Sequence, residues 1–407
     1  MSKSIWWISK YAEVARSGEP TGRAQGLLRE FARRNNTSCL ITSYSMGRLR
    51  ARRSAARYET SMIDGVTITT IRTFQYSKSL SARRIISWIS FEWGLLRLPS
   101  RHLPRPDAIV VSSLSLLTIL NGLRLRKIFQ CRLVFDVRDI WPLVLIEEGG
   151  FSRRNPFVRL LTWVEKVGYR YSDAIVGTMP NLQEHVTEVL GAPKSVHYIP
   201  HGFDESLTDI RQMPSKQTLR DKTSTDRFVV AYAGSVEPSN SMDVFFDCAK
   251  SMSDHRHVHF LVLGFGERLK YFQQRYGYLQ NLTLLPPVPK SQVLPILRQC
   301  DLMYLSIRDS MLCRFGRSLN KLIDYALSGK PIVASYSGFP LLIDEARCGM
   351  TISPGDVEAL RSAVLEFVAM EPERRIEIGT RGYQWVYENR TYSKLAEKYF
   401  TILFPQA

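Results

Sequence analysis

The chain lacks several patterns that would place it in other classes of protein. Its six cysteines form no C-x-x-C pair and have no metal-site spacing, so we expect buried free thiols in a reducing cytoplasm. The longest uncharged apolar stretch, 108–123, has 16 residues and contains several serines, which is too short for a membrane span. The N-terminal text MSKSIWWISKY fits a first strand better than a signal peptide.

The sequence also lacks metal-binding motifs, and its first half has few acidic residues. There is no D-x-D pair and no histidine–cysteine cluster, so we expect no metal. Residues 1–200 contain 30 Lys+Arg against 15 Asp+Glu, whereas residues 201–407 contain 25 against 23, within a total net charge of +17. This asymmetry predicts that the first half faces an anionic surface, either a nucleic acid or an acidic membrane leaflet.

Short apolar runs alternate with helical patterns along the whole chain, which predicts α/β domains with parallel sheets. A polar stretch over 205–227 has no sustained period and predicts a linker. We therefore expect domains at 1–204 and 228–388, followed by a last helical segment at 389–407.

The most informative segment is 315–331, FGRSLNKLIDYALSGKP. It predicts a tight turn that feeds a helix, with Lys321 near the helix start and Gly329 and Pro331 after its end. Main-chain N–H groups and a lysine there favour an anion, and Asp324 one turn later can accept two hydroxyl hydrogen bonds, as a sugar requires. The segment predicts a nucleotide-sugar site; an ordinary amphipathic helix with solvated charges is the alternative for this segment alone.

This segment resembles the donor-binding turn and helix of retaining family 4 glycosyltransferases, in the bacterial branch that transfers O-antigen and exopolysaccharide sugars. Leu319 stands where that branch usually has proline. The wider family has two glutamates eight residues apart; Asp324 takes the second place and Gly316 the first. The positions that match are Gly316, Ser318, Asn320, Lys321, Leu322, Asp324, Tyr325, Gly329, Lys330 and Pro331.

A second motif, Arg138-Asp139-Ile140-Trp141-Pro142, follows the fifth predicted strand, and ligands of open parallel sheets bind beyond the carboxyl ends of strands. The residues alone fit either a structural corner or the wall of a cleft. The same branch has a closely similar R-D-[LI]-W-P. The resemblance implies that Asp139 and Arg138, the latter in place of a common histidine, lie near the transferred sugar, with Trp141 and Glu147 on the acceptor side.

Several glycine loops extend the resemblance. Gly22 and Arg23 match a first loop on the acceptor side, although a plain turn fits them equally well. In the second half, Val236 to Met242 contains no lysine or arginine, so Lys321 becomes the expected diphosphate cation. The remaining donor-binding positions that the resemblance implies are Gly234, Ser235, Gly264, Gly266 and Val288.

The segment 81–101, SARRIISWISFEWGLLRLPSR, predicts an amphipathic helix with basic residues at both ends. The predicted apolar face contains Ile85, Trp88, Ile89, Trp93 and Leu96. Such a helix lies either in a membrane interface or against the N-terminal sheet. The charge asymmetry favours the membrane.

The resemblance implies the GT-B fold, with two doubly wound Rossmann-like domains facing a central cleft. The expected protein is a retaining glycosyltransferase that moves a sugar, from a UDP-sugar, to a lipid-linked saccharide without a metal or cofactor. Its expected catalytic residues are Lys321, Asp324, Asp139 and Arg138. The expected location of the protein is the cytoplasm, at the inner face of the cytoplasmic membrane. The alternatives are a non-transferring UDP-sugar epimerase and a basic nucleic-acid-binding protein; no known nucleic-acid module appears, so no nucleic-acid partner is expected.

Overall fold

The computed structural model describes residues 2–43, 56–76, 82–205 and 227–405. The chain divides into two compact units, one formed by Met1–Leu207 with Thr391–Ala407 and the other by Thr208–Arg390. Apart from its ends, Glu205 and Arg227, the predicted linker lies outside the described residues. Both units are α/β domains, as the sequence predicts.

The described strands of unit 1 are β1 (Ser4–Ile8), β2 (Thr37–Ser43), β3 (Tyr58–Ile63), β4 (Val66–Ile71), β5 (Ala108–Ser112), β6 (Arg132–Val137), β7 (Ala174–Gly177) and β8 (Val196–Tyr198). They form one sheet in the order β3-β4-β2-β1-β5-β6-β7-β8. Neighbouring strands are parallel except β3 and β4. The strand order reverses between β1 and β5, and such a reversal opens a crevice at the carboxyl edge.

The edge strand β3 is the one strand of this sheet that the sequence patterns do not predict. Its four central residues are exposed and mostly polar, so the strand contains no apolar run. It is held by antiparallel pairing with β4. Edge strands of this kind are invisible to a search for buried strands.

The described strands of unit 2 are β9 (Phe228–Ser235), β10 (Val258–Phe265), β11 (Leu282–Leu285), β12 (Leu302–Ser306), β13 (Ile332–Ser335) and β14 (Gly349–Ile352). They form an all-parallel sheet in the order β11-β10-β9-β12-β13-β14. The order reverses between β9 and β12. The carboxyl ends of these two strands therefore mark the expected ligand crevice of unit 2.

The described helices are, in chain order, α1 (Arg23–Arg33), α2 (Ala82–Leu96), α3 (Thr118–Phe129), α4 (Leu143–Glu147), α5 (Pro156–Tyr171), α6 (Leu182–Leu190), α7 (Asp243–Ser251), α8 (Leu269–Tyr276), α9 (Lys290–Leu297), α10 (Asn320–Leu327), α11 (Leu342–Ala346), α12 (Val357–Ala369), α13 (Pro372–Asn389) and α14 (Tyr392–Leu403). Short 3₁₀ turns occur at Ser100–His102, Pro238–Asn240 and Met311–Phe315. The last helix, α14, belongs to unit 1.

Helices α1 and α14 pack together over one part of the unit 1 sheet. Phe31 of α1 and Tyr399 of α14 are buried in a common apolar cluster with Ile5 and Trp7 of β1. The rings of Trp7 and Tyr399 lie 5.1 Å apart. The C-terminal helix thus completes the core of the first unit.

Helix α3 lies between α2 and α5. On one side, Asn121 of α3 donates to the main-chain oxygen and the carboxylate of Glu92 on α2, at 3.2 and 2.8 Å. On the other side, a Cβ at Gly168 of α5 would lie 3.2 Å from Ile119 of α3. The three helices therefore form a continuous layer.

Candidate active site

Lys321 lies in unit 2, near the start of α10 and beside the carboxyl end of β9. Its Nζ donates to the hydroxyl of Tyr232 at 2.7 Å and to Oδ1 of Asn240 at 3.1 Å. The amine also lies 4.6 Å from the centre of the Tyr232 ring. Burial lowers the pKa of Lys321 to about 8, because desolvation disfavours the charged amine.

Tyr232 and Asn240 are both fixed by the loop that follows β9. The Tyr232 hydroxyl donates to the main-chain oxygen of Ser235 at 2.6 Å, and Asn240 Nδ2 donates to the same oxygen at 3.0 Å. The sequence alone does not point to Asn240, because an asparagine near a proline and serines is typical of any turn. Asn240 provides Lys321 with an oxygen partner from the segment 236–242, which contains no lysine or arginine.

Glycines at the carboxyl ends of β9 and β10 allow close main-chain approach. Gly234, at φ +147°, leaves space for Lys321: a Cβ there would lie 3.1 Å from Nζ. A Cβ at Gly264 would lie 1.9 Å from the oxygen of Gly234, and one at Gly266 would lie 2.4 Å from that of Val236. Gly264 and Gly266 are therefore explained by the close packing of the end of β10 on the end of β9 and the residue that follows it.

The turn before α10 leads to a helix start that has no side-chain cap. Gly316 has φ +84°, a conformation that favours glycine, and closes the 3₁₀ turn that precedes it. At the N-cap, Leu319 offers no side-chain hydrogen bond. Ser318 and Asn320 flank this residue, and the main-chain N–H groups of a helix start favour an anion.

Asp324 lies one turn further along α10 and forms an ion pair with Lys290, the first residue of α9. Burial raises the pKa of the Asp324 carboxyl, and the charge of Lys290 opposes that shift. Val288, two residues before Lys290, is half-buried in the loop that leads to α9. The sequence predicts a carboxylate that faces ligand hydroxyls, but it does not predict this lysine partner.

Tyr325 fixes α10 against β9. Its hydroxyl accepts from the N–H of Ala233 at 2.8 Å and donates to the oxygen of the same residue at 3.1 Å. The side chain is fully buried. This anchor holds the turn of α10 that contains Lys321 and Asp324 at the carboxyl end of β9.

In unit 1, Arg138 and Asp139 follow β6 directly. Ser113, which follows β5, accepts from the main-chain N–H of Arg138 at 2.9 Å and donates to the main-chain oxygen of Asp139 at 3.1 Å. Burial lowers the pKa of Arg138, and the charges of Asp139 and Asp136 oppose the shift. Both predicted residues therefore lie at the carboxyl edge of the sheet, on a loop fixed through its main chain.

Arg23 is not a loop residue, in contrast to its predicted place. It begins α1, is buried, and its Nη2 lies 3.0 Å from Oδ1 of the buried Asp136. It also donates to the main-chain oxygen of Pro200, and Tyr399 donates to Asp136 at 3.3 Å. Gly22 is the N-cap of α1 and has ordinary backbone angles. The guanidinium thus connects four segments of the core, which gives Arg23 a structural explanation.

Trp141 also lies within the packing of unit 1. Its ring is buried and contacts the ring of Trp88 edge to face at 5.5 Å. Glu147, at the end of α4, is half-buried. The buried Trp141 ring therefore offers little surface to an acceptor, and its place on the acceptor side stays a prediction.

Neither a cluster of metal ligands nor a membrane-spanning helix occurs in the described part of the chain. Within 2–43, 56–76, 82–205 and 227–405, no group of three or more His, Cys, Asp or Glu side chains is arranged to hold a metal ion. Over the same ranges, no helix has the length and apolar character needed to cross a membrane.

Two family models match the chain. One described as a glycosyl transferase 4-like domain matches residues 18–202, and one described as glycosyl transferases group 1 matches residues 227–370. No curated protein sequence matches the chain significantly.

Solved structures similar to the chain cover nearly its whole length. Sucrose-phosphate synthase from Thermosynechococcus elongatus has a TM-score of 0.72 and 14% identity over 98% of both chains. A UDP-forming trehalose-phosphate synthase from Burkholderia xenovorans has 0.72 and 13%, over 100% of this chain and 99% of that one. Anabaena HepE in complex with UDP-glucose has 0.67 and 14%, over 98% and 99%. At these identities the likeness establishes the fold, and together with the two transferase domains it places the chain among the GT-B glycosyltransferases.

Proposed function

We propose that this chain is a retaining glycosyltransferase that takes a hexose or aminosugar from a UDP-sugar and attaches it to a lipid-linked saccharide. The observation that carries the proposal is the position of Lys321. Its amine is held by two neutral oxygens at the carboxyl end of β9, one turn from the carboxylate of Asp324. A cation beside a helix start suits a diphosphate, and the carboxylate suits a sugar hydroxyl.

The neutral partners of Lys321 strengthen this assignment. Among the described residues no carboxylate pairs with the amine, and desolvation makes the unpaired charge unfavourable. A bound diphosphate would supply the missing negative charge. Three solved neighbours of similar fold, all forms of Anabaena HepE, were obtained with UDP, with UDP and glucose, or with UDP-glucose. These complexes support UDP as the nucleotide to test first.

The proposed reaction proceeds without a protein nucleophile. The acceptor hydroxyl attacks the anomeric carbon from the face that the diphosphate leaves, and the leaving phosphate oxygen takes the hydroxyl proton. Lys321 and the N–H groups at the start of α10 stabilise the negative charge that grows on the diphosphate. These groups take the place of a metal ion, so we propose that the transfer is metal-independent.

We assign the acceptor to unit 1, near Arg138 and Asp139, and the biological pathway to bacterial surface polysaccharide synthesis at the cytoplasmic face of the membrane. The support is the R-D-[LI]-W-P resemblance and the placement of both residues at the carboxyl edge of the unit 1 sheet. A lipid-linked acceptor would also account for the basic charge of residues 1–200.

A thermal-shift panel of UDP-, GDP-, ADP- and dTDP-sugars tests the donor. A ligand that binds only the folded chain raises its melting temperature, and we expect the largest rise with a UDP-sugar. Lys321→Ala should remove that rise and lower turnover about 10²-fold. Lys250→Ala, at an exposed lysine of α7 in the same unit, is the matched control. No shift with any nucleotide-sugar, or normal turnover in Lys321→Ala, would contradict the proposal.

A further inference from the structure

Several large apolar side chains are exposed on the outer surface of the α2–α3–α5 layer. On α2 these are Ile86, Ile89, Trp93 and Leu96, and on α5 they are Leu160 and Trp163. Ile89 is 58% exposed, Trp93 48% and Trp163 56%. Leu120 extends the set onto α3, between the two. Because α3 lies between α2 and α5, these side chains share one surface, and exposed apolar groups gathered on one surface mark an interaction site.

Helix α2 has two apolar faces, and the fold uses only one of them. Trp88, Phe91 and Leu95 are buried against the sheet and its neighbours, with Trp88 only 2% exposed. The exposed residues recur at intervals of three and four on the opposite side, which makes a second stripe. The predicted face combined members of both stripes; the structure assigns Trp88 to the core and Trp93 to the surface.

The charges of the layer have one sign on the outside. Its acidic residues are Glu92 and Glu165, and both carboxylates face inward: Glu92 accepts from Thr118 at 2.6 Å, and Glu165 accepts from Tyr169 at 3.1 Å. The exposed charged residues on the three helices are all basic: Arg83, Arg124, Lys127, Arg159, Lys166 and Arg170. Arg97, just after α2, lies 4.1 Å over the ring of Trp93.

We propose that the outer surface of the α2–α3–α5 layer docks on an anionic lipid bilayer. Its isoleucine, leucine and tryptophan side chains would enter the headgroup boundary, and the arginines and lysines around them would bind acidic headgroups. A nucleic acid would satisfy the basic groups but would leave the aliphatic stripe without a partner. This inference rests on the proposed function, which places the enzyme at the membrane. Docking on lipid does not itself require a bound nucleotide-sugar.

The test uses the full chain and vesicles of phosphatidylcholine with or without phosphatidylglycerol. We expect co-sedimentation with the anionic vesicles only, and release by added salt. The double variant Trp93→Ser/Trp163→Ser should bind about tenfold more weakly even at low salt, because it loses the apolar anchors. Its matched control is Tyr278→Ser/Ile376→Ser, at two unit 2 positions that are 63% and 64% exposed. That control should bind like the wild type.

The melting shift caused by UDP-sugar separates the possible failures. If it persists in the Trp93→Ser/Trp163→Ser variant, weaker vesicle binding is not misfolding. The docking proposal is overturned if the wild type ignores anionic vesicles, if the double variant binds them normally, or if the surface binds duplex DNA or RNA and not lipid. Vesicle binding without any nucleotide-sugar shift would instead sink the transferase proposal and leave docking intact.

Discussion

The amine of Lys321 and the hydroxyl of Tyr232 lie 2.7 Å apart, and the tyrosine uses its own proton on the main-chain oxygen of Ser235. A lone pair of that hydroxyl is therefore directed at the lysine. Asn240 provides the second oxygen. The amine is fixed by neutral groups before any ligand binds, so its charge is available to an anion at no cost of reorganisation.

The first prediction concerns pH, because burial lowers the pKa of Lys321 to about 8. Below pH 8 the amine is charged, so UDP affinity should be highest there and should fall as pH rises above about 8. Titration calorimetry from pH 6.5 to 9.5 measures this, with the range chosen around that pKa. Lys321→Ala should bind weakly at every pH; a wild-type affinity that stays flat through this range would contradict the assignment.

The same pKa has the opposite effect on the stability of the ligand-free chain. Because the folded pKa is below the unfolded value of 10.5, the unfolded chain binds more protons between about pH 8 and 10.5. The contribution of Lys321 to the free energy of unfolding therefore rises with pH across that window. Comparison with Lys321→Ala isolates this contribution, since the variant lacks the titrating amine.

The second prediction concerns Asp324. Asp324→Asn should weaken donor affinity, because an amide lacks the charge-assisted acceptor and leaves Lys290 without its ion pair. Asp324→Glu should be tolerated, since the wider family has glutamate there. Asp243→Asn removes a surface ion pair with Arg268 in the same unit and serves as the control. A glutamate variant as damaged as the asparagine variant would make the assigned role wrong.

The sequence predicts the central strands of both sheets because they are buried on both faces and appear as continuous apolar runs, whereas the exposed edge strand β3 has no such run. It predicts α10 because a glycine, a lysine and the helix period fall in one short segment. It does not predict the partners of Lys321 and Asp324, since Asn240 and Lys290 are distant in sequence and ordinary in context. Nor does it separate the two faces of α2, because both are apolar and only packing distinguishes them.

The third prediction follows from the packing of Trp88. Its ring contacts Trp141 at 5.5 Å, and its Nε1 donates to the hydroxyl of Tyr11 at 2.6 Å. Trp88→Ala should lower the free energy of unfolding by about 3–5 kcal/mol, as for other buried aromatic residues. Trp93→Ala should lower it much less, by about 1 kcal/mol, because that side chain is half exposed and loses mainly its contact with Arg97. Urea denaturation of the two variants measures the difference, and equal losses would place both residues in the core.

The fourth prediction concerns metal removal. Because Lys321 and the start of α10 are proposed to balance the diphosphate charge, exhaustive chelation should leave turnover unchanged. The assay follows UDP release with EDTA present and again after Mg²⁺ or Mn²⁺ is restored. A loss of turnover that either metal reverses would replace the lysine-based mechanism with a metal-assisted one.

The last prediction separates chemistry from nucleotide binding through Asp139. This residue belongs to unit 1, whereas the proposed diphosphate and sugar-hydroxyl contacts, Lys321 and Asp324, belong to unit 2. Asp139→Ala should therefore lower kcat strongly and leave the UDP-induced melting shift close to that of the wild type. The loop should keep its shape, because Ser113 holds it through the main-chain atoms of Arg138 and Asp139. Glu148→Ala, at an exposed acidic residue nearby, is the control. A well-folded Asp139→Ala that loses UDP binding, or that turns over normally, would remove Asp139 from the sugar-transfer step.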